Sequence, residues 1–262
     1  MPAIGSPGSE RVQRLSFNRF VETPMSDKQQ PRYAIYAVPP TDSPLWKFGS
    51  AILGYDAVSS KAVPRPKSMD ASENDWNKWT SAARTYGFHG TLKAPFRLRS
   101  SKDSMLTEAN LLAAIHAFAA VKKPISIGRL ELCTLKSFVA LTPLAQPPEL
   151  TGFAADCVTA FETFRAPLTA EEISRRNPAE LTVRQSEYLA VWGYPYVFEE
   201  YRYHMTLTGS LHGGSLKTAY QAIALEFAGI DELFVLDRIA VFRQSARDQP
   251  FVNVKTFRLG TA

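Results

Sequence analysis

Two short motifs carry most of the chemistry that this sequence offers. His89-Gly90-Thr91-Leu92 and His204-Met205-Thr206-Leu207 each place a histidine two residues before a threonine. Leucine follows in both, and an aromatic residue, Phe88 or Tyr203, comes immediately before. In a strand, residues i and i+2 point to one face, about 7 Å apart. Each motif then offers an imidazole and a hydroxyl on the same face. An imidazole titrates near pH 6.5, so of two facing rings one can be neutral while the other is protonated. The neutral ring takes a proton from water or an attacking hydroxyl, and the protonated ring gives one to a leaving oxygen. Threonine hydroxyls can donate to the non-bridging oxygens of a phosphate. The pattern points to phosphate-ester cleavage, with His89 and His204 as catalytic candidates and Thr91 and Thr206 as phosphate-binding candidates. The scheme calls for no metal and no cofactor. A metal site wants three or four convergent ligands, and no His-x-x-x-His or Cys-x-x-Cys spacing supplies them.

The remaining histidines and the cysteines read as structural. His116 lies in the apolar helical run 111–118, and His212 precedes Gly213-Gly214 in a loop. Cys133 and Cys157 have neither the density of a disulfide scaffold nor a zinc spacing, and read as buried thiols.

The elements that must position the motifs can be read from capping and periodicity. Residues 1–31, rich in Gly, Pro, Ser and charge, read as a disordered tail, with Met25 a candidate native start just before the first convincing strand. Residues 32–38 read as a strand stopped by Pro39-Pro40. Ser43-Pro44 opens a helix to Leu53 with Gly54 beyond its end, and Ser72 with Asp75 opens a second. Residues 86–92 read as the strand bearing His89. Thr107 caps a helix to Val121, followed by strands near 125–132 and 138–141. A long helix is expected over about 148–164, and two capping boxes, Thr169-x-x-Glu172 and Thr182-x-x-Gln185, start further helices. Residues 203–207 read as the second histidine strand. Ser215 caps a helix to about Ala228, and strands are expected over 233–242 and 251–259. The order strand with histidine, helix, hairpin thus occurs twice. The stretch 143–200 exceeds what a minimal core needs and reads as a helical insertion or lid.

The chain has 262 residues, 45% hydrophobic and 21% charged, ordinary for a globular domain with a full core. No apolar run is long enough to span a bilayer and no compact secretory signal is evident, which makes a cytoplasmic protein the expectation. A formal charge of +5 favours anionic partners. Arg175-Arg176 and Lys122-Lys123 are only pairs, and no basic stripe interleaved with aromatics marks a nucleic-acid surface. A small anionic phosphate ester is therefore the expected partner, RNA the weaker expectation, and oligomeric state is left open.

At its two motifs the sequence resembles the two-histidine phosphoesterase superfamily. Gly87-Phe88-His89-Gly90-Thr91-Leu92-Lys93-Ala94-Pro95-Phe96, the strand 32–36, Phe164-Arg165-Ala166-Pro167-Leu168-Thr169 and Trp192-Gly193-Tyr194-Pro195-Tyr196-Val197 resemble one branch, the phosphonate-metabolism proteins. The resemblance runs from about residue 32 to 259. It implies an α+β fold of two pseudo-symmetric lobes over 32–262, with two antiparallel sheets lining a central cleft and helices outside. It also implies metal-independent hydrolysis of a cyclic phosphate ester, such as phosphoribosyl 1,2-cyclic phosphate. RNA-end 2′,3′-cyclic phosphodiester hydrolysis and a non-catalytic phosphate-binding module are the alternatives. A second phosphate on the substrate would call for Arg or Lys at the rim of the cleft. Arg32, Tyr33, Lys93, Arg97, Arg165, Arg202 and Arg243 are the candidate substrate-binding residues.

Overall fold

Local capping signals set most helix boundaries. In the computed structural model, which describes residues 30–66, 71–100 and 106–261, Ser43 accepts from Trp46 N and starts α1 (Pro44–Leu53), which ends on Gly54 in the left-handed region at φ 65°. Ser72 caps α2 (Glu73–Arg84) and Thr107 caps α3 (Glu108–Ala120), the latter through a reciprocal capping box with Asn110. The two later capping boxes start α5 (Ala170–Ser174) and α6 (Val183–Trp192). The expected long helix is shorter: α4 (Pro148–Ala160) gives way at Phe161 to a 3₁₀ turn, Glu162–Phe164. Ser215 does not cap the last helix, α7 (Gly214–Phe227), whose N-cap is Gly213 without a side-chain bond. Of the expected N-terminal tail, all but Gln30 and Pro31 lies outside the described residues, as does Met25.

The strands are β1 (Arg32–Ala37), β2 (Tyr55–Asp56), β3 (Lys61–Ala62), β4 (Gly90–Arg97), β5 (Ile125–Gly128), β6 (Leu130–Leu135), β7 (Phe138–Pro143), β8 (Met205–Thr206), β9 (Phe234–Leu236), β10 (Arg238–Gln244) and β11 (Val252–Arg258). Seven form one antiparallel sheet in the order β11-β10-β1-β4-β8-β7-β6. Its two halves, β11-β10-β1-β4 and β8-β7-β6, meet at one pair of residues, Gly90 opposite Met205. Strands β2 with β3 and β5 with β9 form two small ribbons.

The repeated order of strand, helix and hairpin is present, but the hairpins are exchanged. The hairpin β6-β7 follows the first histidine motif in the chain and pairs with β8 of the second. The hairpin β10-β11 follows the second motif and reaches β4 of the first through β1. Helix α3 packs on β10 and β11, α7 on β6 and β7. The half β11-β10-β1-β4 therefore joins strands from both ends of the described chain, the half β8-β7-β6 comes from its middle, and each histidine motif is flanked by the hairpin that follows the other. Tyr36, Phe88, Leu92, Met205 and Phe242 are among the buried residues at this junction. No helix among the described residues is long and apolar enough to cross a membrane.

Candidate functional site

Both histidines stand one residue ahead of their strands, not within them, because β4 begins at Gly90 and β8 at Met205. Their neighbours anchor them. Phe88 is fully buried against Gly49, where an added Cβ would sit 2.2 Å from the ring. Gly87 adopts φ 72°, in the left-handed region that favours glycine, and an added Cβ there would meet Ala57 at 2.6 Å. This turn brings the Gly87 carbonyl to the His89 ring, 2.9 Å from Nδ1. In the second motif, Tyr203 is buried and its backbone N donates to Gln146 Oε1 at 2.7 Å. His204 Nδ1 then lies 2.8 Å from the Arg202 carbonyl.

The two contacts are the same: each Nδ1 faces the carbonyl two residues back. A carbonyl only accepts, so each Nδ1 carries the hydrogen and each Nε2 is the nitrogen left for chemistry. His89 Nε2 is 3.2 Å from Thr91 Oγ1. His204 Nε2 has no protein partner among the described residues. The His89 ring also stacks on Tyr36, with centroids 3.6 Å apart and planes inclined by 17°, and Phe242 borders both rings, 5.0 Å from Tyr36 and 6.3 Å from His89. Phe138 borders His204 at 5.7 Å.

Burial lowers the pKa of both rings below the usual histidine value, since a charged ring loses hydration there. His89 falls to about 4; burial is the main cause, the Gly87 carbonyl opposes it, and the charge on His204 lowers it further. His204 is lowered by burial and partly restored by the Arg202 carbonyl.

His89, Thr91, His204 and Thr206 all line one cavity of about 430 Å³. Four arginines, Arg32, Arg175, Arg176 and Arg247, line it too. A second cavity, of about 370 Å³, shares Thr91 and His204 and is walled by Phe138, Trp192, Tyr194, Tyr196, Phe198 and Tyr201. Residues of the stretch 143–200 thus reach both cavities, through Arg175 and Arg176 after α5 and through the aromatic segment after α6.

Of the other candidates, Arg32 lines the histidine cavity, its guanidinium bonded to Gln244 Oε1 through Nη2 and, at 2.9 Å, through Nε. Arg202 lines the aromatic cavity, holding the Glu199 and Tyr201 carbonyls at 2.9 Å. Lys93 and Arg165 reach that cavity as well, but both are tied to Glu162: Lys93 Nζ at 3.0 Å and Arg165 Nε at 2.8 Å. A register shift places Thr91 opposite Tyr36 but Lys93 opposite Ile35, so the simple alternation from Thr91 to Lys93 fails. Tyr33, Arg97 and Arg243 line neither cavity. Tyr33 and Arg243 are cross-strand partners beside Glu108 of α3, where Arg243 Nη1 bonds Glu108 at 3.0 Å and burial pushes the Tyr33 phenol up to about 12. Arg97 grips Glu172 at 3.0 Å from behind the cavity. Sequence reasoning missed Tyr36, Arg247 and the position of Arg175-Arg176 at the histidine cavity. The dipeptide was visible as a basic pair, but nothing in its spacing tied it to His89, 86 positions upstream of Arg175, or to His204, 29 positions downstream of it.

Among the described residues no three His, Cys, Asp or Glu side chains converge as a metal site requires. Fold and site together define an α+β protein with two histidine-x-threonine motifs facing one cleft. The chain belongs to the family described as Protein of unknown function (DUF1045), whose model matches residues 91–252. It is 37% identical over 235 residues to "Ribose 1,5-bisphosphate phosphokinase PhnN" of Janthinobacterium sp. (strain Marseille), covering 87% of this chain and 51% of that protein. It is 33% identical over 198 residues to the protein of the same name from Laribacter hongkongensis (strain HLHK9), covering 76% of this chain and 45% of that one. The chain therefore spans about half the length of the curated relatives it matches. Among solved structures, E. coli LigT complexed with ATP is similar at a TM-score of 0.39 and 9% identity, over 88% of this chain and 98% of that one. A structure described as a phosphoesterase is similar at 0.38 and 10%, over the same shares.

Proposed function

We propose that this protein is a phosphodiesterase that opens a cyclic phosphate ester on a phosphorylated ribose by histidine acid–base catalysis. One observation carries the reading: two imidazoles in the same tautomer line one cavity together with two threonine hydroxyls. Burial holds His89 down to about 4, so we assign a single proton shared by the pair to His204. His89 Nε2 accepts a proton from water as the water oxygen bonds to phosphorus. The bond from phosphorus to one ester oxygen breaks, and His204 Nε2–H protonates that oxygen. The products are a phosphomonoester and a free hydroxyl; the proton gained by His89 and lost by His204 re-equilibrates through solvent. Thr91 and Thr206 hold the non-bridging oxygens.

The ribose assignment draws on the relatives' name. This chain has no Gly-x-x-x-x-Gly-Lys-Ser/Thr loop to cradle a nucleotide's phosphates. What it takes from those relatives is accordingly the substrate class, not the kinase activity. Opening the 1,2-cyclic phosphate of ribose 5-phosphate by breaking the bond between phosphorus and O2 yields ribose 1,5-bisphosphate, the compound in that name. The resemblance to phosphonate-metabolism proteins agrees with it.

A second reading, hydrolysis of 2′,3′-cyclic phosphates at RNA ends, is favoured by the aromatic cavity beside His204, which has the faces a base would stack on. The test is to offer EDTA-treated protein both kinds of cyclic ester and follow ring opening by phosphorus NMR. Turnover of the ribosyl 1,2-cyclic compound alone supports the proposal, and turnover of RNA ends alone favours the second reading. Binding without turnover of either would make the protein a phosphate-binding module, and turnover abolished by the chelator would overturn the metal-free scheme.

A further inference from the structure

The arginine side of the histidine cavity has no part in the acid–base scheme. Arg32, Arg175, Arg176 and Arg247 line it, and the one carboxylate in that lining is Glu172. Glu172 is already shared between Arg247, at 2.6 Å, and Arg97, at 3.0 Å. Arg175 is held by Glu171 at 2.5 Å on the surface. The other two have neutral partners. Arg32, only 8% exposed, bonds the amide oxygen of Gln244 and lies over the Phe251 ring at 5.5 Å. Arg176 lies over the Tyr194 ring at 4.9 Å. Neither has a carboxylate partner among the described residues.

Burying a guanidinium without an anion is unfavourable, and placing a second beside it is more so. The structure nonetheless sets Arg32 near Arg247, and burial and that neighbouring charge both lower the Arg32 pKa. A guanidinium matches a phosphate geometrically through paired N–H donors, and a terminal phosphomonoester carries close to two negative charges. A dianion seated there would relieve the crowding that the protein alone leaves uncompensated. The arginines and the histidines line the same cavity of about 430 Å³, within the range of small-ligand sites.

We propose that Arg32, Arg176 and Arg247 form a second anion subsite that takes the terminal phosphomonoester of the substrate, while the ester to be cleaved lies between His89 and His204. The proposal rests on the reading of the histidine pair as a centre that opens the cyclic ester of a sugar phosphate. It adds a direction, with the phosphomonoester toward α5 and the scissile ester toward the β4–β8 junction. It also adds selectivity: an otherwise identical cyclic ester lacking the second phosphate leaves Arg32 and Arg176 without an anionic partner and is a poor substrate.

The experiment has two arms at fixed ionic strength. The first measures kcat/KM for ribose 1,2-cyclic phosphate with and without the 5-phosphate. The wild type should prefer the phosphorylated ester by at least about 100-fold, the scale of two charge-assisted hydrogen bonds. Arg176→Ala should shrink that preference at least about tenfold, and Arg176→Lys should restore part of it. The second arm measures calorimetric binding of ribose 5-phosphate, which needs no turnover. Binding that weakens about tenfold or more in Arg176→Ala supports the subsite even if no cyclic ester is opened, in which case only the hydrolase reading fails. If the cyclic ester is opened with a preference near one and ribose 5-phosphate does not bind, the subsite is overturned and the hydrolase reading stands. Failure of both arms overturns both. Should Arg176→Ala unfold, Arg247→Gln serves with the same two readouts and the same expected losses.

Discussion

Gly90 of the first motif lies directly beneath the ring of Tyr203 of the second, so closely that an added Cβ would fall 2.4 Å from the ring. Gly90 also forms the pair with Met205 that joins the two halves of the sheet. The residue between His89 and Thr91 is therefore small because the residue before His204 fills its space. Gly90→Ala should lower stability by about 1–3 kcal/mol, the usual cost of overpacking, and lower activity with it. Tyr203→Leu alone should also destabilise, but the double variant should lose less than the sum of the two. Chemical denaturation of the four proteins of this cycle checks it, and strict additivity would show that the contact does not couple the motifs.

His89→Ala and His204→Ala should each reduce kcat by at least about 100-fold, the scale of general acid–base catalysis. The double variant should fall little below the worse single one, because both rings act in one step. Circular dichroism must show the fold retained. Near-normal turnover by either single variant would remove that ring from the scheme.

Helix starts were legible because each cap is a local contact. Ser43, Ser72, Thr107, Thr169 and Thr182 all accept from a backbone N–H three residues on, as their sequences imply. Strand ends near the site were not. Residues 203–204 lie outside a strand because the Arg202 carbonyl and Gln146 engage them in place of a ladder. The histidine-threonine pairs were legible as a repeated spacing, and the structure brings all four residues to one cavity. The arginines were not, since Arg32, Arg176 and Arg247 come from a strand start, the end of a short helix and a hairpin loop. The pairing of β1 with β10 brings the loop of Arg247 beside Arg32, and Arg176 reaches the same cavity from beyond α5. Lys93 and Arg97 had the charge for a ligand role but face carboxylates of their own protein, a distinction that sequence distance hides.

Glu162 holds Lys93 at 3.0 Å and Arg165 through Nε at 2.8 Å, and Lys93 is only 4% exposed. Removing this carboxylate leaves two partly or fully buried cations without it. Glu162→Gln should therefore destabilise by about 3 kcal/mol, the lower end for a broken buried pair. Urea unfolding measures this, and a loss under about 0.5 kcal/mol would show that solvent already screens the pair.

The histidine pKa values make two predictions about pH. For stability, His89 holds its proton below about pH 4 when folded and below about pH 6.5 when unfolded. Between those values the unfolded chain binds more protons, so acid favours unfolding and stability falls as pH drops from about 6.5 toward about 4. His89→Gln has no such proton to bind, and its melting temperature should depend less on pH across that window. For catalysis, the base must be neutral and the acid protonated. His89 is neutral above about pH 4, and His204, also lowered from the usual value, gives up its proton below about pH 6.5. The plot of kcat/KM against pH should therefore be bell-shaped with its maximum on the acid side of neutrality. With the roles assigned here, His204→Ala should remove the alkaline limb from whatever activity remains and leave the acid limb in place. Loss of the acid limb instead would exchange the two roles, making His204 the base and His89 the acid.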